Sequence, residues 1–402
     1  MNYNLIMEAY NDVDFLRNKL SDENSTASDD ISKYPLLEKD ELAEDSLKLM
    51  AAKYLPFLYR EELMRKDTSG STGKYIEVYW RKQDFMRSMF SLWFYRKRFY
   101  GINTWDKMCG FYTISHVGLN EEKERLNKNM LEFSKTDLTE ERLLEIYGKM
   151  QEFQPVWLIL QPCIAELLCY VKEKYQLSSF NTVKYIEMTG EELTEDLRGR
   201  VHECFGGLVV NQYGANEVNS IAYECPEGNL HCMEDNVYVE IVDDSGNVLP
   251  EGEVGNIYVT TCCNYAMPFI RYGIGDIGAL KKNTCHCGHK GRILDLKSGR
   301  KDDWIKTEDG EKINPYVFVR AAVAVNAVFE RCIFQFQIIQ EEYQLFSVNL
   351  ALDDEIEYES VKKVFLDNIG HAKLKNASYK FNFYDKLFPD MNGKRKFFKS
   401  EI

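Results

Sequence analysis

One strand–turn–helix–strand unit in the middle of the chain constrains the fold most. VKYIEM (183–188) has the composition of a buried strand, TGEEL follows as a turn, and Thr194 can cap a helix that ends near Phe205. LVVN (208–211) predicts the next strand. Because strands joined through a helix pair in parallel, the predicted fold class is α/β, with parallel sheet layers and helices packed on them.

The pattern differs on either side of this unit. From residue 138 to about residue 174 the apolar residues recur at helical spacing, and the longest apolar stretch, 156–171, predicts a buried helix. Beyond residue 236, VYVEIV and VGNIYVTT flank the turn DDSGN and predict an antiparallel β-unit. We predict a large N-terminal domain of residues 1–301 and a small, mobile α+β domain of residues 302–402.

Composition narrows the classes of function. The formal net charge of −14 disfavours broad binding to nucleic acid or to an anionic membrane. The longest apolar stretch is too short and too polar to cross a bilayer, and the first residues lack the pattern of a signal peptide. The 11 cysteines are odd in number and scattered, which argues against a disulfide framework. These features predict a soluble, cytoplasmic protein without a membrane span.

The segment TSGSTG carries the first chemical signal. Its members are Thr68, Ser69, Gly70, Ser71, Thr72 and Gly73. Glycine lets the backbone approach a ligand closely, and the N–H and hydroxyl groups donate hydrogen bonds to phosphate oxygens. The spacing G-x-x-G-K excludes the P-loop of NTPases, which needs G-x-x-x-x-G-K. A polar surface turn has a similar composition, so the meaning of this segment depends on residues further along the chain.

Four later segments add candidate ligand-binding groups. In NQYGANEV, Tyr213 can stack on a base, and Glu217 can hold magnesium that bridges nucleotide phosphates. Asp276, between glycines in YGIGDIG, can accept hydrogen bonds from two ribose hydroxyls, and Arg300 can contact phosphate or ribose. Lys394 follows a glycine in the basic tail. Each segment alone is also typical of an ordinary turn or a solvated charge.

Taken together and in this order, the segments resemble the adenylate-forming superfamily of acyl-CoA synthetases, luciferases and peptide-synthetase adenylation domains. The closest branch is similar to the phenylacetate–coenzyme A ligases, through TSGSTG, TGEELTEDLRGRV, YGANE, YECPEGNLH, NYAMPFIRYGIGD, CHCG and GRKDD. The resemblance covers roughly residues 60–402. The first 60 residues match no family that we can name.

The resemblance implies a role for each matching residue. Those assigned to ATP or AMP are Thr68, Ser69, Gly70, Ser71, Thr72, Gly73, Gly190, Glu191, Tyr213, Gly214, Asn216, Asp276 and Arg300. TSGSTG would hold the β- and γ-phosphates, Gly190 and Glu191 would line the adenine side, and Glu217 would bind magnesium. Asp302 falls at the family's hinge. Lys394 matches the catalytic lysine that reaches the carboxylate and the α-phosphate.

Three positions depart from the family pattern. Asn216 stands where YGxTE has threonine, and Gly273 stands where YRTGD has arginine. Tyr75, preceded by a lysine, stands where the family often has proline, two residues after the last glycine of TSGSTG. None of these departures removes a residue with a principal role, but each can alter nucleotide affinity or substrate choice.

Two clusters of cysteine and histidine predict a structural zinc site. The expected ligands are Cys225, His231, Cys285 and Cys287, with Cys232 and His289 as substitutes. The spacing C-x-C is less typical than C-x-x-C, and unligated thiols in loops are the alternative.

The resemblance implies an AMP-forming acid–CoA ligase that uses ATP, magnesium and coenzyme A. Tyr, Met and Phe in residues 264–269 favour an aryl or other hydrophobic acid. One alternative is an adenylating enzyme that loads an acyl carrier protein or another nucleophile. A second is a non-catalytic binding protein descended from such a ligase. The oligomeric state stays open.

Overall fold

The computed structural model describes residues 1–22, 30–67, 76–112, 123–135, 138–300, 305–310, 312–313, 315–329, 332–352, 356–385, 387 and 397–402. The helices within these ranges are α1 (Tyr3–Asp12), α2 (Asp14–Asp22), α3 (Lys39–Ala43), α4 (Leu55–Tyr59), α5 (Lys82–Tyr100), α6 (Glu140–Phe153), α7 (Pro162–Lys174), α8 (Glu195–Phe205), α9 (Tyr316–Val328) and α10 (Tyr358–Asp367). None of them combines the length and the hydropathy that a bilayer crossing requires.

The strands of the described residues begin with β1 (Met64–Asp67), β2 (Glu77–Trp80), β3 (Met108–Tyr112), β4 (Glu124–Asn127), β5 (Met130–Ser134), β6 (Trp157–Leu160), β7 (Tyr185–Thr189), β8 (Leu208–Ala215), β9 (Asn219–Glu224) and β10 (Leu230–Cys232). They continue with β11 (Val237–Val242), β12 (Gly255–Thr261), β13 (Tyr272–Lys281), β14 (Ile293–Arg300), β15 (Ile305–Lys306), β16 (Lys312–Ile313), β17 (Ile333–Glu342), β18 (Leu345–Leu352), β19 (Ser378–Tyr384) and β20 (Phe398–Ser400).

The chain divides into two compact units. The first comprises residues 1–136, 145–162 and 179–297, and the second comprises residues 137–144, 163–178 and 298–402. The boundary expected at residue 302 lies outside the described residues and stays a prediction.

A twelve-stranded sheet, in the order β11–β12–β13–β14–β10–β9–β8–β7–β6–β3–β5–β4, dominates the first unit. Strands β5, β3, β6, β7 and β8 pair in parallel. The pairs β8–β9, β9–β10, β10–β14, β12–β13 and β11–β12 are antiparallel. The α/β fold class is therefore confirmed. The parallel strands and the antiparallel β-unit belong to one continuous hydrogen-bonded sheet.

The predicted strand–helix–strand unit forms as expected. Strands β7 and β8 pair in parallel as far as Thr189 and Gln212. The side chain of Thr194 accepts a hydrogen bond from the N–H of Leu197, so it caps α8. The helix ends at Gly206, whose φ of 80° glycine adopts without strain.

The single helix predicted across residues 156–171 is wrong in its first part. These residues form β6 and then α7, which begins at Pro162. A buried strand and a buried helix both present a continuous apolar run, so periodicity does not distinguish them. Proline favours the first turn of a helix and marks the change.

A buried ion pair fixes α5 against β7. The guanidinium of Arg96 donates two hydrogen bonds to the Glu187 carboxylate, one of them 2.8 Å long. Tyr185 also donates to Glu187, at 2.7 Å, and its oxygen lies 2.6 Å from that of Tyr223. Although burial acts to lower it, the Glu187 carboxylate raises the pKa of Arg96 above its ordinary value. The network orients the strand that leads into the turn at Gly190.

The second unit contains a four-stranded sheet in the order β19–β18–β17–β20. Strands β17 and β18 are antiparallel, whereas β19 and β20 join them in parallel. Its core includes side chains from α9 and α10. The described residues between 305 and 402 thus form the small α+β arrangement predicted for the C-terminal region.

Candidate active site and metal centre

The first candidate site begins where β7 and β8 end in the first unit. Gly190 follows β7 with φ of 85°, in the turn expected to line the adenine side, and is succeeded by Glu191. Across the pair, Thr189 donates a 2.5 Å hydrogen bond to Gln212. The carboxyl ends of parallel strands are a common location for nucleotide sites, because loops from several strands meet there.

Two residues predicted to bind the nucleoside are in contact. The Tyr213 hydroxyl donates to Oδ2 of Asp276, at 2.7 Å. Both side chains are half-buried. The contact joins β8 to β13, which are not neighbours in the sheet order. An aromatic ring beside a carboxylate can stack on a base while the carboxylate accepts hydrogen bonds from ribose hydroxyls.

The turn between β8 and β9 carries Asn216 and Glu217. Asn216 is exposed, and Glu217 is 6% exposed. The Tyr272 hydroxyl donates to Oε1 of Glu217 at 3.1 Å, and Nζ of Lys39 lies 4.0 Å from the same oxygen. Magnesium is usually held by one or two carboxylates together with substrate phosphates, so this carboxylate fits the proposed ion.

Gly214 has a structural reason for being glycine. A Cβ at this position would lie 2.5 Å from the carbonyl oxygen of Asn219, on the paired strand β9. The register of β8 and β9 also shifts between Tyr213 and Gly214. The glycine is therefore needed for the tight hairpin that presents Glu217, whether or not it also approaches nucleotide.

Several predicted residues lie outside the described residues. They are Thr68, Ser69, Gly70, Ser71, Thr72, Gly73, Asp302 and Lys394. Arg300 ends β14, but its side chain is outside the described set. The strands that flank residues 68–75 are antiparallel, and Asp67 pairs with Glu77. The roles of all these residues stay predictions.

The segment expected near the acid substrate is largely internal. Met267 and Phe269 are both 0% exposed and belong to the main core of the first unit. Tyr265 is half-buried, and the Arg81 guanidinium lies 5.0 Å from its ring centroid. Of these three residues, Tyr265 alone retains exposed surface.

Sequence reasoning missed two residues near the site. Lys39 belongs to the N-terminal segment, for which no family motif was found, and only the long-range contact with Glu217 reveals it. Gln161 lies beside Gly190, where a Cβ would come within 3.1 Å of its Nε2. Its buried Oε1 has no hydrogen-bond partner among the described residues. The break at Gln161 and Pro162 in the apolar run was the available signal for a strand end there.

The four predicted zinc ligands form a second site. One ligand atom from each of Cys225, His231, Cys285 and Cys287 lies within 4.8 Å of all the others. The Sγ atoms of Cys225 and Cys285 are 3.6 Å apart, and Sγ of Cys287 is 3.4 Å from Nε2 of His231. Three cysteines and one histidine are a standard donor set for tetrahedral structural zinc.

The surroundings of this cluster suit a cation. Nδ1 of His231 lies 3.0 Å from the Gly291 carbonyl oxygen, which fixes Nδ1 as the donor and leaves Nε2 as a ligand. Desolvation, together with the Glu227 carboxylate and the nearby thiols, raises the pKa of Cys285 to about 12. A thiolate here therefore needs a positive charge beside it.

The two substitute ligands are not in the cluster formed by the described residues. Cys232 belongs to the main core, and burial raises its pKa to about 12. The ring of His289 stacks on His231, with centroids 4.7 Å apart, and its Nδ1 accepts a 2.9 Å hydrogen bond from the Gly291 N–H. Desolvation and His231 lower the pKa of His289 to about 4, so it packs as a neutral neighbour.

Known proteins share the fold and parts of the sequence. The family model described as AMP-binding enzyme matches residues 124–267, and the model of the CapK C-terminal domain matches residues 305–401. Phenylacetate–coenzyme A ligase of Thermus thermophilus is 32% identical over 195 residues, 47% of this chain and 43% of that ligase. The alignment thus spans less than half of that relative.

Two further matches cover nearly the whole chain. Protein CapK of Staphylococcus aureus is 25% identical over 399 residues, 97% of this chain and 84% of CapK. A crystal structure of 2-hydroxyisobutyryl-CoA ligase with an acyl-adenylate superimposes with a TM-score of 0.74 at 16% identity, covering 95% and 84% of the two chains. The second likeness concerns the fold alone.

Proposed function

Because the chain belongs to the adenylate-forming superfamily, on the branch similar to the phenylacetate–coenzyme A ligases, we propose that it activates a carboxylic acid with ATP and passes the acyl group to coenzyme A. The observation that carries this proposal is the contact between Tyr213 and Asp276, with Glu217 on the adjoining turn. Three residues predicted separately for base, ribose and metal thus lie on β8, on β13 and on the turn that follows β8.

The chemistry proceeds in two transfers. A carboxylate oxygen of the acid attacks the α-phosphorus of ATP, and the bond to pyrophosphate breaks. The sulfur of coenzyme A then attacks the acyl carbon, and AMP leaves. Magnesium held by Glu217 would neutralise charge on the phosphates. Tyr213 and Asp276 would orient the nucleoside, and Lys394 would stabilise charge that develops at the α-phosphate.

We propose a hydrophobic, aryl acid as the substrate. The support is the phenylacetate named for a 32% identical relative. We expect ATP–pyrophosphate exchange that depends on added acid, in a panel of aryl, fatty and amino acids, with the aryl acids most active. Exchange driven by fatty or amino acids alone would contradict the aryl assignment. Absence of exchange with every acid would contradict the ligase assignment itself.

A second candidate keeps adenylation but changes the acceptor. The family match in residues 305–401 is to the CapK C-terminal domain, and protein CapK itself aligns over 97% of this chain. In the superfamily the C-terminal domain takes part in the second transfer, so the CapK match in this domain is the observation that favours a different nucleophile. Product analysis with coenzyme A and, separately, with a phosphopantetheinylated carrier protein distinguishes the two acceptors.

Asp276→Asn is expected to raise the KM for ATP in the exchange assay about tenfold, because the amide accepts hydrogen bonds from ribose less strongly than the carboxylate. Tyr213→Phe is the matched variant: it keeps the ring and loses the hydrogen bond to Asp276, so we expect a rise of about threefold. The acid KM should change less than the ATP KM in both. An unchanged KM for ATP in Asp276→Asn would contradict the proposed role of Asp276 in binding ribose.

We also propose that Cys225, His231, Cys285 and Cys287 bind structural zinc, and that the protein works in the cytoplasm. The converging donor atoms support the first proposal. The second is supported by the odd number and scattered positions of the 11 cysteines, which argue against a disulfide framework.

A further inference from the structure

We propose that Lys39 is a further phosphate-binding residue of the nucleotide site, supplied by the N-terminal segment, residues 30–43. This inference rests on the proposed function. Nζ of Lys39 lies 4.0 Å from Oε1 of Glu217. The Glu217 side chain is 8% exposed and that of Lys39 is 24% exposed, so the ion pair lies at the edge of the buried region and remains accessible from one side.

The N-terminal segment is held by backbone hydrogen bonds to the start of β13. The N–H of Leu37 donates to the Arg271 carbonyl oxygen at 2.9 Å, and the N–H of Gly273 donates to the Leu37 carbonyl oxygen at 2.9 Å. The Arg271 guanidinium, which is buried, donates to the carbonyl oxygens of Ser32 and Tyr34 at 2.9 and 2.7 Å. Lys39 is therefore presented by a fixed backbone, two residues after Leu37.

The first turn of α3 is fixed as well. The backbone N–H of Glu38 donates to Glu41 at 2.8 Å, in a capping box. The Tyr258 hydroxyl donates to the Glu38 carboxylate. Lys39 is the first residue of this helix, so the geometry directs its side chain to Glu217 and not into open solvent.

Gly273 makes room for this arrangement. A Cβ there would come within 3.1 Å of Oε2 of Glu38 and within 3.1 Å of the Tyr258 ring. The family pattern YRTGD has arginine at this position, and a side chain of that size would displace the Glu38 carboxylate. Glycine in place of arginine at position 273 thus removes one cationic side chain. It also leaves room for the N-terminal segment, which supplies the cation of Lys39.

The charges favour a phosphate contact. Glu217 accepts a hydrogen bond from Tyr272 and pairs with Lys39, which satisfies a nearly buried carboxylate. A divalent ion on Glu217 would repel the nearby ammonium unless phosphate oxygens lie between the two cations. Lysine carries a compact charge and three donors, so it can exchange the carboxylate for phosphate oxygens with a small movement.

The test is direct binding of nucleotides to the full chain, measured by calorimetry with magnesium present. Lys39→Met is expected to raise the Kd for ATP about tenfold, since it removes one charge-assisted contact. The Kd for AMP should stay within about twofold of the wild-type value, because Lys39 is expected to contact the β- or γ-phosphate and AMP lacks both. Lys39→Arg keeps the charge and should retain most of the affinity. Lys48→Met, an exposed lysine of the same region, is the matched control.

Each outcome decides between the proposals. Wild-type protein that binds ATP while Lys39→Met binds it equally well would overturn the phosphate role alone. Equal weakening of ATP and AMP binding would also overturn it, since that result indicates a disturbed fold. Wild-type protein that binds neither nucleotide would overturn the proposed function together with this inference.

Discussion

Lys394→Ala is expected to lower the rate of acid-dependent ATP–pyrophosphate exchange by about 10²–10³-fold, which corresponds to about 3–4 kcal/mol of transition-state stabilisation. The variant would lose one preorganised positive charge at the α-phosphate, where negative charge develops as pyrophosphate leaves. Thioester formation from a supplied acyl-adenylate should remain largely intact, because the thiol attacks the acyl carbon in that step and no bond to the α-phosphorus forms or breaks.

The two half-reactions are measured separately for the variant. Lys375→Ala is the matched control. Lys375 is an exposed lysine of the same unit, and it is not the residue that matches the family's catalytic lysine. The Lys375→Ala variant should leave both half-reactions near the wild-type rate. If Lys394→Ala retains full exchange activity, the assigned role of Lys394 is wrong. If it loses both half-reactions equally, the residue acts on folding or on nucleotide binding in general.

Cys285→Ser is expected to reduce bound zinc from about one equivalent to a small fraction and to lower the melting temperature by about 10 °C. The physical reason is that a structural metal binds the folded chain and not the unfolded one, so its binding free energy adds to stability. Cys285 is half-exposed, so the replacement itself leaves little buried surface unfilled.

Metal content is measured by elemental analysis and stability by thermal unfolding, with and without a chelator. His286→Gln is the control, because this neighbouring histidine is exposed and is not one of the four converging residues. It should keep both zinc and melting temperature. Purified wild-type protein without zinc, or a Cys285→Ser variant with the full equivalent, would contradict the proposed site.

The accuracy of the sequence predictions depends on how local each signal is. Thr194 and the strands around it could be predicted because capping and strand composition act over a few neighbouring residues. The convergence of the cysteine and histidine side chains could be predicted because they occur in two short clusters with recognisable spacing. The strand β6 was missed because a fully buried strand has no alternation of apolar and polar residues.

Contacts between residues far apart in the chain could not be predicted from the sequence. The residues around Lys39 in the sequence form no motif that predicts a contact with Glu217. The contact follows from the way the N-terminal segment pairs with β13. The reason for Gly214 is similar, since the Asn219 carbonyl oxygen that would meet a Cβ is set by the hairpin register. The motifs predict which residues bind nucleotide, whereas the fold explains which of the described residues are in contact.

The pairing of β10 with β14 has a consequence for cooperativity. Strand β10 has three residues, and its register with β14 is a single pair, His231 opposite Ile293. The two parts of the twelve-stranded sheet are therefore weakly paired between β10 and β14. Two of the proposed zinc ligands, Cys225 and His231, come from one side of this pairing, and Cys285 and Cys287 come from the loop before β14. A bound ion would couple the half-sheets, so that they open together and not as independent subglobal units.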